Sequence, residues 1–85
     1  SDLVEELGQA RLRSVTLPEA SAWAGQPLDD LALHAVGVSV VSVRRAGGGV
    51  LSSTGDHVLA GGDTLVLSGL PEPLALAEAK LLGSG

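Results

Sequence analysis

Polar and apolar residues alternate, imperfectly, through residues 11–17: Leu12 is followed by Arg13 and Val15 by Thr16. That two-residue period predicts a half-buried strand, which Pro18 ends. Residues 18–26 read as a loop carrying Trp23 and Gly25. The period then changes. Leu28, Leu31, Ala32 and Ala35 stand at i, i+3, i+4 and i+7, one face of a helix over 27–36. Pro27 suits its first position, Asp29 and Asp30 complement its N-terminal end, and Gly37 stops it. Residues 38–45 are dense in valine, with Val on both faces, which predicts a central strand. Ala46-Gly47-Gly48-Gly49 reads as a hairpin loop, and Val50-Leu51-Ser52 as the start of the return strand.

Thr54-Gly55-Asp56 reads as a turn, His57-Val58-Leu59 as a short extended piece, and Ala60-Gly61-Gly62-Asp63 as a second tight turn. Residues 64–68 form another strand, which Gly69 breaks. Pro71 and Glu72 open a last helix, with Leu70, Leu74, Ala77 and Leu81 on one stripe. The order β-α-β-β-β-α predicts a small α+β domain with a mostly antiparallel sheet and two helices. The expected core is Leu12, Val15, Leu31, Val41, Val43, Leu65, Leu67, Leu74 and Leu81. Residues 1–10 read as a linker or the end of a preceding helix, 11–82 as the domain, and 83–85 as a frayed tail.

Composition narrows this picture. At 85 residues there is one domain, and size scaling buries about 60% of its unfolded surface, a thin stability margin. Trp23 is the only aromatic residue, so the core is Leu, Val and Ala. No cysteine means no disulfide scaffold, zinc ribbon or thiol nucleophile. With 5 Lys+Arg against 10 Asp+Glu and a net charge of -5, there is no basic stripe for nucleic acid. No apolar run is long enough to span a bilayer, so no direct membrane insertion is expected. The chain opens on Ser1 and an acidic stretch, with no signal peptide to be seen. We expect a piece of a longer protein.

Candidate chemistry is sparse. His57 stands beside Asp56, with Ser52 and Ser53 near, but adjacent residues on an extended segment face opposite ways, so Asp56 does not orient His57. Asp30 and His34 share one helical face, and Asp29 and Asp63 are further acids, yet two ligands do not make a metal site. Gly47-Gly48-Gly49 lacks the spacing and trailing lysine of a phosphate loop. Arg44 and Arg45 form the one local positive spot, able to clasp an anion or to stand solvated at the strand end. Trp23 is either a lid over the core or an anchor for a partner. No enzyme and no cofactor are expected.

Three stretches carry a resemblance. Ser21-Ala22-Trp23-Ala24-Gly25-Gln26-Pro27-Leu28 is similar to an "S-P-L-x-G-K-T-L" entry to a first helix. Residues 37–45, Gly-Val-Ser-Val-Val-Ser-Val-Arg-Arg, resemble a "G-V-x-V-V-A-I-x-R" strand, and residues 60–69 resemble "x-x-G-D-x-L-V-L-x-G". Together they resemble the RCK C-terminal (TrkA-C) domain of bacterial potassium channels, Trk/Ktr uptake systems and Kef-type cation/proton antiporters. The resemblance implies a non-enzymatic, cytoplasmic regulatory domain on the inner membrane's inner side. It implies a homodimer working with the membrane-embedded transporter or antiporter part of its parent protein, sensing a small ligand to gate cation transport. The alternative is a dimerisation module with no ligand of its own.

In family members that bind a cyclic dinucleotide, an Asn-Ile pair precedes the central strand. Ser39 and Val40 stand there instead, without the amide that reads a base. The upstream nucleotide domain's glycine fingerprint is absent, so binding of NAD or ATP is not carried over. The expected ligand-contacting residues are His34, Ser39, Val40, Arg44 and Arg45, and the expected dimer contacts are His34, Val38 and Val40.

Overall fold

The computed structural model describes residues 9–51 and 57–83. The readings of residues 1–8, of the turn at 54–56 with its neighbouring serines, and of 84–85 lie outside the described residues. Four strands, β1 (Arg11–Thr16), β2 (Ser39–Arg44), β3 (Val50–Leu51) and β4 (Thr64–Gly69), form one sheet in the order β1-β4-β2-β3, every neighbour antiparallel. One α-helix, α1 (Pro71–Leu82), follows. The architecture is the expected small α+β domain.

Register explains the core. Leu65 pairs with Val15 on one side and Val43 on the other, and Val43 pairs with Leu51. These four therefore form one row on one face, since side chains directly opposite in a ladder point the same way. Leu67, two residues on, joins that face, and α1 covers it with Leu74, Ala77 and Leu81, all buried. Prolines at the start of α1 are tolerated because the first amides of a helix have no internal partner. Lys80 stands in the last turn, where a cation complements the helix dipole.

Two expected core residues face outward. Leu12 is 68% exposed. It pairs with Ser68, which pairs with Ser39, on the face away from α1. Leu12 and Val15 are three apart, so on a strand they point to opposite faces, and Val15 takes the inner one. Val41 is 50% exposed. The β2–β4 register shifts between Val40 and Ser42, so Val41 is the extra residue of a bulge. The bulge lets Val40 and Val43, three apart, both pack on the core side.

The segment expected as one helix is two short 3-10 turns, Leu28–Leu31 and Leu33–Val36, separated by Ala32 in the left-handed region at φ 49. A continuous helix would bury Leu28, Leu31, Ala32 and Ala35 and turn Leu33 outward. The break buries Leu28, Leu31 and Leu33 and exposes both alanines. Burying one leucine is worth about 1.5–3 kcal/mol, which offsets the roughly 1–2 kcal/mol of one left-handed alanine. Gly37, at φ 85, ends the second turn, with its amide on the His34 carbonyl at 3.1 Å.

The 57–59 piece is extended as expected. It pairs with the entry to these turns through Leu28 N–H to the His57 carbonyl at 2.7 Å and Leu59 N–H to the Gln26 carbonyl at 2.8 Å. The Ala46–Gly49 loop closes the β2–β3 hairpin, with the Arg45 amide on the Gly49 carbonyl at 2.7 Å.

Candidate functional site: a groove between the helical turns and the central strand

The two 3-10 turns and the first half of β2 enclose an open groove of about 250 Å³. Its wall is Leu28, Asp29, Ala32, Leu33 and His34, and its floor is Val38, Ser39 and Val40. The break at Ala32 makes the wall concave: it redirects the chain, which then turns back at Gly37, so that Val38 N–H reaches the Leu33 carbonyl at 3.1 Å. Val38 is buried in the chain's own core and is 1% exposed. It can support the groove from below, but the expectation that it contacts a second copy needs a surface that it does not present. The exposed large apolar side chains within this stretch of chain are instead Val36 at 49% and Val41 at 50% exposure.

Three of the five expected ligand residues, His34, Ser39 and Val40, line this one groove. The two arginines do not. Arg44 lies five residues along β2 from Ser39, about 16 Å away at strand rise, and its side chain is exposed, on a residue paired with Thr64 and Val50. Arg45 is already engaged. Its guanidinium forms an ion pair with Asp63 at 3.2 Å and donates to the Val58 carbonyl at 2.9 Å. The expected anion clasp is thus divided: Arg44 stands exposed at the far end of β2, and Arg45 braces the fold.

Asp63 is buried at 1% exposure and is held on every side. Besides Arg45, its carboxylate accepts the Ala60 amide at 2.9 Å, and its carbonyl accepts the Leu17 amide at 2.8 Å. The carboxylate closes the 60–63 turn and joins it to the end of β2. At Gly61 a Cβ would stand 2.5 Å from the Glu19 carbonyl oxygen, so the backbone of the 18–20 loop approaches as only glycine allows. This turn is what the spacing of Gly62, Asp63, Leu65 and Leu67 encodes.

The chain matches the family model of the TrkA-C domain over residues 12–82. It belongs to that family. TrkA-C domains are regulatory domains associated with potassium transport and are not a catalytic family. No curated protein matches the chain. Among the described residues no helix is long and apolar enough to cross a membrane.

A shared helical face for Asp30 and His34 has one continuous helix as its premise. The break removes that premise, and it is Asp29 that lines the groove with His34. Among the described residues no three His, Cys, Asp or Glu side chains gather as a metal site. Trp23 packs against the core and donates its indole N–H to the Lys80 carbonyl at 3.2 Å, the position of a lid. Sequence reasoning missed Leu28, Asp29, Ala32 and Leu33 as groove residues. The one available signal was Leu33, a large apolar residue off the helical stripe.

Proposed function

We propose that this TrkA-C domain regulates a potassium or other cation transporter or antiporter, from the cytoplasmic side of the inner membrane. Two copies pair through the surface formed by residues 28–41, and a small ligand enters the groove between them. The observation that carries the reading is convergence: His34, Ser39 and Val40, chosen from sequence, line one groove, and the same stretch of chain exposes the apolar Val36 and Val41. Apolar side chains around a few polar groups are the composition of a ligand-binding interface.

A second reading has its own support. At about 250 Å³ the groove is smaller than the roughly 300–1,000 Å³ of typical small-molecule sites. Unless a second copy enlarges it, the groove serves only to seat that copy. Ser39 and Val40, where cyclic-dinucleotide binders carry Asn-Ile, weigh on the same side. Arg44 reaches an anion in the groove only if it comes from the other copy, and Arg45 is committed to Asp63.

Calorimetric titration with nucleotides, cyclic dinucleotides and divalent cations, repeated on His34→Ala, separates the readings. Heat of binding that is lost in His34→Ala supports the ligand site. A paired domain that binds none of these supports the dimerisation module. Binding that is unchanged by His34→Ala removes the groove as the site.

A further inference from the structure

The wall of the groove is held from outside it. Ala32 is the only non-glycine residue with positive φ among the described residues, a conformation that L residues adopt at a penalty. Three contacts converge beside it. Lys80 Nζ donates to the Leu31 carbonyl at 2.6 Å. The same ammonium lies 5.6 Å from the centre of the Trp23 ring, within cation–π range. The Trp23 indole N–H closes the circuit on the Lys80 carbonyl at 3.2 Å.

The Leu31 carbonyl is the acceptor that a continuous helix would offer to the Ala35 amide, four residues on. Here that amide bonds the Ala32 carbonyl at 3.1 Å. The break leaves the Leu31 carbonyl without that helical partner, and Lys80 supplies a charged donor in its place.

We propose that Lys80 is the positioning residue of the groove. Its ammonium, set on Leu31 and steadied by Trp23, holds the left-handed link at Ala32 and so the wall that carries Asp29 and His34. The last turn of α1 and the groove are then energetically coupled. Loss of the Lys80 charge loosens the wall, and an occupant that fixes the wall steadies the end of α1 by the same amount. The functional consequence rests on the groove reading above; the clasp itself needs neither ligand nor second copy.

Hydrogen exchange read by mass spectrometry, on the 85-residue chain at low micromolar concentration, tests it. Lys80→Met keeps the apolar stem and removes the charge. It should speed exchange of the 33–38 amides by about tenfold, the loss of one charge-assisted bond, and leave the 64–69 amides unchanged. Lys80→Arg should retain most of the protection. Ala32→Gly in the Lys80→Met background should return the 33–38 amides to within about threefold of wild type, because glycine removes the penalty that Lys80 offsets. Exchange at 33–38 within about twofold of wild type in Lys80→Met would overturn the proposal. So would equal acceleration at 64–69, which signals a general loss of stability. If these patterns hold while the copies fail to pair, the groove reading falls and the clasp stands.

Discussion

Around Leu65 the chain is held by repetition, and between Leu28 and Val36 by exceptions. Leu65 sits in a row with Val15, Val43 and Leu51, each placed by a ladder register and covered by the leucine stripe of α1. The 28–36 segment has no ladder and no full turn of α-helix. It is set by one left-handed alanine, one lysine reaching from another element, and three leucines that no single helical face could bury together. Regular elements make a rigid platform; the irregular segment, shaped against it, makes the concavity. The surface proposed to receive a second copy is thus built from the part that local propensity governs least.

Four substitutions sharpen this contrast. Leu65→Ala has the largest expected effect. The side chain is wholly buried at the centre of the row, and its loss should cost about 4 kcal/mol in a urea melt. That is a large part of the roughly 5–10 kcal/mol available to a domain of this size. A loss under about 1 kcal/mol would mean that the core is centred elsewhere. Arg45→Ala comes second. It leaves the buried Asp63 carboxylate with its backbone donor but without its cation, and because Arg45 is itself 33% exposed the expected loss is about 2 kcal/mol. A neutral result would show that the pair braces nothing.

Ala32→Gly comes third, and its sign is the informative part. At positive φ glycine should stabilise the chain by up to about 1 kcal/mol, whereas in a continuous helix the same change would destabilise it by about as much. A lower melting temperature for Ala32→Gly would restore the regular helix that periodicity suggests. Leu12→Ser is the smallest. On the outer face it should change stability by less than about 0.5 kcal/mol, in contrast to Leu65 one layer away.

The same contrast decides what could be read from sequence. The α1 stripe of Leu74, Ala77 and Leu81 and the inner positions Leu65 and Leu67 follow from periods of 3.6 and 2, and the structure keeps them. Leu12 was legible and was missed: three residues from Val15, it had to face the other way. Val41 was not legible, because a bulge displaces one residue without leaving a mark in hydrophobic pattern. Nor was the break at Ala32, which follows from the tertiary gain of burying Leu33. Of the candidate site, His34, Ser39 and Val40 could be named in advance, but Asp29 only as a loose acid, since its place in the wall depends on that break. Arg45 looked like a solvated charge in sequence because its partner, Asp63, is 18 residues away along the chain.

The central proposal is that the 28–41 surface meets a second copy of the domain. Multi-angle light scattering of wild type, Val36→Glu and Val41→Glu at high micromolar concentration addresses it most directly, since both valines are about half exposed and neither lines the groove. The account predicts a wild-type mass of twice 8.5 kDa and monomers for both variants, with unchanged circular dichroism. A monomeric wild type, or a dimer indifferent to both substitutions, would contradict it.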